Sequence, residues 1–341
     1  MLRAVISNLQ SPITNYQTIM ILGLIDHDGG TLNGVSLEML TFGRELAADA
    51  GEELVAVVVG ENGRSLLPTL ADYGVETAVL ITHDQLDEYA PVAWAHALAQ
   101  LVDDEAPEAV MAPGTERGNE VMAHLAARLD QALAANCTTV ATGNDYLVTR
   151  VRWGGSLLED AKLSGDPKLL TVAAHTLAAE EAPTGSDVDV TEFEADLDDK
   201  DFRVRVTRRV LPEAGKVSLT DAKVVVSGGR GVGSAEGFAA LEELAGLIGG
   251  AIGCSRAVTN HGWRSHADQV GQTGARVAPD LYIACGISGA IQHIVGCKGS
   301  KNMLVINTDP DAPILARANY AIIGDLHEVL PAISAELRKN Q

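Results

Sequence analysis

The sequence predicts an α/β protein made of two doubly wound domains, and three observations carry the prediction. Short β-branched runs alternate with helical patterns through both halves of the chain. Those runs are continuously apolar rather than alternating, as expected of parallel strands covered on both faces. Between the halves lies a stretch of different texture, first rich in turn signals and then acidic.

In the first half, TIMILGLID reads as a strand, and VSLEMLTFGRELAADAG follows with Leu37, Leu40, Leu46 and Ala47 at helical spacing. LVAVVVG is the next strand and SLLPTLADYG a short helix. AVLITH, the helix AWAHALAQLVDD, AVMAPG and the helix NEVMAHLAARLDQAL complete the alternation. After Cys137, VTRVRWGGSLLEDAKLSGDPKLLTVAA carries Gly and Asp-Pro turn signals and reads as antiparallel hairpins. Residues 180–201 are acidic and poor in large apolar groups. They read as a solvated edge and linker, with an acidic interaction tail as the alternative. RVRVTRRV alternates and is expected to form an exposed strand leading across the boundary.

The second half repeats the pattern: KVVVSGG, the helix AEGFAALEELAGLIGG, AIGCSR, a loop to residue 280, LYIACGISG, the helix AIQHIVG, MLVINTDPD, a short helix at ILARA, YAIIGD and a terminal helix LHEVLPAISAELRKN. Five short strands with helices between them predict a parallel, doubly wound sheet. The expected organisation is a leader arm at 1–17, an N-terminal α/β domain with a hairpin segment at 18–205, and a C-terminal α/β domain at 206–341.

Composition narrows the function. At 46% hydrophobic and 21% charged, the chain is of the soluble globular class, and no apolar run approaches the ~18 residues of a membrane span. MLRAVISNLQSPITNYQ has neither a long apolar signal core nor an Arg-rich amphipathic pattern, so a chain that stays in the cytoplasm is expected. A formal net charge of -21 argues against nucleic acid and against an anionic membrane surface, both of which need clustered Lys and Arg. Cys137, Cys254, Cys285 and Cys297 are scattered, which favours buried free thiols over a zinc or iron–sulfur site.

The unusual residues of the second half fall just after strands. Ser227-Gly228-Gly229-Arg230-Gly231 follows the first, Ser255-Arg256 the second, Gly286-Ile287-Ser288-Gly289 the third, Asn307-Thr308-Asp309 the fourth and Gly324-Asp325 the fifth. In an open α/β sheet these ends line one crevice, so the segments should converge on a ligand. Gly286 and Gly289 would let the backbone turn tightly and approach that ligand. Ser288 would cap the helix or bind a phosphate, and Gln292 and His293 would project from its first turns. An ordinary strand–helix turn with a satisfied histidine is the plainer alternative. SGGRGVGS is Gly-rich but matches neither the dinucleotide fingerprint nor the Lys-bearing phosphate loop. Ser234 is a candidate helix cap there. Arg230 reads as a phosphate or partner contact, or as a solvated charge. QVGQTG, residues 269–274, either drapes over a ligand or is a surface turn.

GCSRAVTNHGW, QVGQTG, LYIACGISGAIQHIVG and VINTDPDAPI, in that order, resemble the α subunit of electron transfer flavoproteins. DHDGGTLNGVSLEMLTFGRELA and APGTERGNEVMAHLAARL look like the same family, so the resemblance runs from about residue 18 to the C-terminus. It implies a heterodimer with a β subunit and one FAD, held mainly by the C-terminal domain. It also implies an electron carrier rather than an enzyme, taking electrons from flavin dehydrogenases and passing them to a quinone-linked oxidoreductase, without membrane insertion. Carried over by motif, Arg256 lies over the isoalloxazine ring, Thr273 meets the N5 region with Val270, Gly271 and Gln272 around it, and His293 approaches the O2 side. Ser255, Ser288 and the backbone of Gly289, Ala290, Ile291 and Gln292 hold the pyrophosphate and ribityl chain. Asn307, Asp325 and Leu326 meet the adenosine end, and Arg230 sits at the flavin edge near the β-subunit boundary.

The sequence departs from the family pattern in places. Thr259-Asn260 stands where the family usually has Val-Asp, Met303 and Val305 differ in the strand that follows the signature, Ala173 replaces an Arg of many members, and His261 is unusual. Two other readings remain: a nicotinamide-dependent dehydrogenase, whose fingerprint is not found, and a non-redox nucleotide sensor or scaffold. Within the family, an electron-bifurcating member with a second FAD in the β subunit is the further alternative.

Overall fold

A computed structural model describes residues 20–208, 218–220 and 222–339. The leader arm expected at 1–17 lies outside the described residues. The first half contains β1 (Met20–Leu24), β2 (His27–Asp28), β3 (Thr31–Leu32), α1 (Val35–Ala50), β4 (Glu53–Val59), α2 (Leu67–Asp72), β5 (Thr77–Thr82), α3 (Pro91–Glu105), β6 (Ala109–Pro113) and α4 (Glu116–Leu129). β7 (Leu133–Ala141), β8 (Tyr146–Arg152), β9 (Leu157–Leu163), β10 (Lys168–Val172) and β11 (Asp189–Glu194) follow.

Nine of these strands form one sheet in the order β11-β5-β4-β1-β6-β10-β7-β8-β9. Its Val-rich centre is buried on both sides. Leu22, Val55 and Val57 face α3 and α4, whereas Ile21, Ala56 and Val58 face α1 and α2. Helix ends follow local chemistry. Thr115 caps α4 by accepting from Gly118 N–H at 2.9 Å, and Gly51 closes α1 in the left-handed region at φ 72°.

Three expectations are corrected. KLLTV is not part of a hairpin: β10 inserts between β6 and β7 and runs parallel to both, while only β7-β8-β9 is antiparallel. A five-residue apolar run carries no record of its partner, and the preceding Asp-Pro turn mimicked a hairpin. The α4 helix stops at Leu129, where Asp130 takes φ 53°, and the following residues open β7. RVRVTRRV forms no strand across its described residues 203–208, and Val206 N–H bonds instead to the Tyr89 carbonyl. The acidic stretch does form the sheet edge: β11 pairs in parallel with β5. It is then anchored by Asp201, 2% exposed, whose carboxylate lies 3.1 Å from His96 Nδ1 and 3.6 Å from Arg128.

The second half contains β12 (Val224–Gly228), α5 (Phe238–Leu247), β13 (Ala251–Cys254), α6 (Arg256–Asn260), β14 (Leu281–Cys285), α7 (Ile291–Cys297), β15 (Asn302–Asn307), β16 (Tyr320–Ile323) and α8 (Leu326–Lys339). ILARA lies in a 3₁₀ turn at Pro313–Arg317 rather than in an α-helix. The five strands are all parallel in the order β13-β12-β14-β15-β16. α5 and α8 cover one face through Phe238, Leu241 and Leu330; Val270, Cys297 and Ile314 cover the other. The chain thus reverses direction across the sheet between β12 and β14, a topological switch point where the loops part and leave a crevice.

Candidate cofactor cleft

A cleft of about 650 Å³ opens at the carboxyl ends of β12, β13, β14 and β15. Of the residues expected at a site, Arg230, Ser255, Arg256, Val270, Gly271, Gln272 and Thr273 line it, as do Ser288, Gly289, Ala290, Gln292, His293 and Asn307. Ile291, Asp325 and Leu326 do not. Ile291 is 68% exposed, and Asp325 accepts from His327 N–H at the start of α8. Leu326 is buried behind the cleft floor, its Cδ2 2.9 Å from where a Cβ on Gly286 would sit. Gly231, Gln269 and Asp309, from segments already singled out, line the cleft too, and Ala257, Asn260 and Ala312 were not foreseen. Asp309 follows the end of β15, whereas Gln269 was signalled only by its place in the motif QVGQTG.

The glycines carry a packing role besides the expected turn. Gly231 N–H bonds to the Gly286 carbonyl at 3.0 Å, and a Cβ on Gly229 would fall 2.3 Å from that same oxygen. Gly286 itself has φ 62°. Gly289, at φ 90°, leaves a Cβ position 2.4 Å from Ile314 N. The close approach these glycines permit is therefore between neighbouring protein loops. It holds the β12 and β14 loops together at the switch point, while Gly231, Gly286 and Gly289 themselves line the cleft. Ser288 does not cap α7, because Ala290 occupies the cap position. Ser234 does accept from Gly237 N–H at 3.3 Å, one turn ahead of α5.

The QVGQTG segment is a tight structural turn rather than a loose drape. Cys254 pairs with Gln269 and Val270 with Ala275, and Gln272 N–H bonds to the Gln292 carbonyl at 2.7 Å. The turn also touches the N-terminal half: Gln272 Nε2 lies 3.5 Å from the Trp153 carbonyl. Asn307, 8% exposed, spends its amide on neighbouring backbone. It donates to the Ile287 carbonyl at 2.9 Å and accepts from Asp309 N–H at 3.1 Å. It therefore ties the β14 loop to the β15 loop.

His293 is buried in the cleft wall. Desolvation lowers its pKa from 6.5 to about 4, the Val270 backbone opposing, so the ring is neutral at physiological pH. Arg230 and Arg256 are exposed on the lining, and neither pairs with a carboxylate among the described residues. With Asp309 the sole carboxylate of the lining, the cleft is net positive in a chain of formal charge -21. Such local reversal of sign concentrates anionic ligands. Cys254, Cys285 and Cys297 lie buried behind it, with burial pushing each thiol up to about 12, so they stay protonated. No helix among the described residues is long and apolar enough to cross a membrane.

Comparison with known proteins agrees with this geometry. Residues 21–210 match the family described as the electron transfer flavoprotein domain, and residues 218–298 match the electron transfer flavoprotein FAD-binding domain. The chain is 35% identical over 330 residues to the electron transfer flavoprotein subunit alpha of Thermoanaerobacterium thermosaccharolyticum, covering 96% of this chain and 99% of that protein. It is 36% identical over 323 residues to the subunit of the same name from Bacillus subtilis, covering 94% and 97%. It is also 35% identical to protein FixB of Clostridium saccharobutylicum, covering 96% and 98%. Two domain matches spanning most of the sequence, and relatives matched almost end to end, show that this chain belongs to the electron transfer flavoprotein α-subunit family.

Proposed function

We propose that this chain binds one FAD in the cleft and, joined to a β subunit, carries electrons from flavin dehydrogenases to a quinone-linked oxidoreductase in the cytoplasm. The observation that carries the reading is a net-positive cleft at the switch point of the domain that matches an FAD-binding family. The residues fit the group. The β14 loop and the start of α7 present backbone amides that an α-helix's first turn leaves without an intrahelical partner, suited to a pyrophosphate. The division into domains at 18–205 and 206–341 is part of this reading, supported by two separate sheets.

When bound, the flavin supplies the uptake and release of electrons, and the protein sets its position and electrostatics. Arg256 offers a permanent positive charge to the ring, which no physiological pH removes. His293 offers a neutral imidazole, and Thr273 a hydroxyl. Ser255 and Ser288 would hold the ribityl–pyrophosphate run, and the β15 loop around Asn307 would border the adenosine end. Arg230, exposed after β12, marks the rim that the β subunit closes.

The test is to copurify the chain with its β subunit and record the absorbance spectrum and the FAD content. One FAD per heterodimer, reducible by a flavin dehydrogenase, is the expected result. Two would place the protein among bifurcating members. A colourless heterodimer that reduces no acceptor would overturn the reading.

A further inference from the structure

Gln269 is a buried amide, 2% exposed, on the wall shared by the main cleft and a smaller one of about 260 Å³. It bridges two hydroxyls. Thr259 Oγ1 lies 2.6 Å from Gln269 Oε1, and Gln269 Nε2 lies 2.9 Å from Thr273 Oγ1. The two lengths match one direction of the chain. A separation of 2.6 Å suits O–H···O, and one of 2.9 Å suits N–H···O. With the amide reversed, the short contact would be N–H···O and the longer one O–H···O, each away from its preferred length. Thr259 also lies 3.0 Å from the Arg256 carbonyl, a longer contact for its single proton.

We infer that Thr259 and Gln269 form a directional relay that makes Thr273 a hydrogen-bond donor into the cleft. Thr259 donates to the amide oxygen, the amide nitrogen donates to Thr273, and the Thr273 hydroxyl, already accepting, keeps its own proton for the ligand. Thr273 is exposed on the cleft lining, so that proton meets an acceptor atom of whatever ring binds there. Resting on the flavin reading above, the acceptor is a ring nitrogen, and the relay favours the ring when it carries an added electron. Thr259 and Gln269 are positioning residues.

The test uses the full chain with its β subunit, reconstituted with ¹⁵N-labelled FAD. Thr273→Val should move one acceptor ring nitrogen toward its value without a hydrogen bond. Thr259→Val, which keeps the side-chain shape, should move the same nitrogen the same way. It should also shift the first reduction equilibrium about three- to tenfold toward the oxidised form, or about 30–60 mV. Thr259→Ser should restore both, and in a Thr273→Val background Thr259→Val should add nothing. An unmoved ring nitrogen in a flavin-loaded Thr259→Val complex would overturn the relay while leaving the flavin reading intact. A wild-type complex that takes up no flavin would overturn that reading instead. The Gln269 side-chain amide resonance then decides the relay alone: a shift on Thr259→Val supports it, and no shift removes it.

Discussion

Tyr282 Oη lies 2.9 Å from His293 Nε2, joining the central strand β14 to the helix α7 that borders the cleft. Tyr282 is fully buried, and desolvation, the largest influence on it, holds its hydroxyl well above the usual phenol range, so it remains a donor. The contact fixes the orientation of a neutral imidazole in the cleft wall.

The stability of the protein should fall between pH 6.5 and 4 because of His293. Its folded-state pKa is lowered from 6.5 to about 4, so the unfolded chain takes up a proton across this window and the folded one does not. The contribution is complete above about pH 6.5 and is lost as pH falls toward 4, a change on the order of 3 kcal/mol. Burial lowers His27 as well, which adds in the same direction. Thermal melts across this range should show a flatter profile for His293→Asn than for wild type. An equally steep profile would place the titration elsewhere.

Arg256→Ala should lower the first reduction potential of the flavin-loaded heterodimer. Two unit charges about 4 Å apart interact by about 4 kcal/mol at an effective dielectric near 20. Arg256 is exposed, so solvent reduces this to about 1 kcal/mol, and the expected shift is roughly 50 mV. Arg256→Lys should retain part of the potential and lose the planar stacking. Spectroelectrochemical titration reads both, and an unchanged potential in Arg256→Ala would place the guanidinium away from the ring.

Gly289→Ala should destabilise the fold by about 2–4 kcal/mol, because its Cβ would meet Ile314 backbone as well as adopt a positive φ. Gly233→Ala is the matched control. It shares a positive φ of 86° but has nothing within 4 Å of the Cβ position, so about 1 kcal/mol is expected. Urea midpoints compare the two. Equal losses would mean that strain alone, and not contact with Ile314, requires glycine at 289.

Asp201→Ala should cost about 2–4 kcal/mol and loosen the acidic segment. The carboxylate is buried, faces His96 Nδ1 and Arg128, and accepts from Asp198 N–H at 3.1 Å, so its removal leaves that amide without its acceptor and takes the anion from beside the Arg128 guanidinium. Limited proteolysis within residues 180–202, alongside urea unfolding, measures both effects. Uniform cleavage rates with an unchanged midpoint would show that the segment is held by β11 alone.

Much of the fold was legible because parallel strands buried on both faces leave continuous Val-rich runs, as in LVAVVVG and LYIAC. What was not legible depended on partners. KLLTV reads alike in a hairpin and in a parallel slot, and the alternation across residues 203–208 belongs to a charged segment outside any strand. At the cleft, strand-end position foretold Arg256, the helix start after LYIACGISG foretold His293, and Thr273 was singled out by the family resemblance of QVGQTG. The reason for each glycine did not follow from sequence, since Gly286 and Gly289 answer to Gly231 and Ile314, residues remote in the chain. Asn307 lined the cleft as expected, yet its amide is committed to backbone, a commitment visible only in three dimensions.

The slot between β6 and β7 has a consequence for how the chain is made. Synthesis delivers β6 and then β7 with the space between them vacant, and β10, which bonds to both, emerges some thirty residues after β7 has ended. Until Val172 leaves the ribosome, the nascent domain carries two raw parallel edges flanking a gap, in addition to the β5 edge that waits for β11. Such edges invite pairing with other chains. Truncations ending before Lys168 should therefore aggregate where ones ending after Glu194 do not, and a chaperone that shields strand edges has its natural window on this chain during that interval.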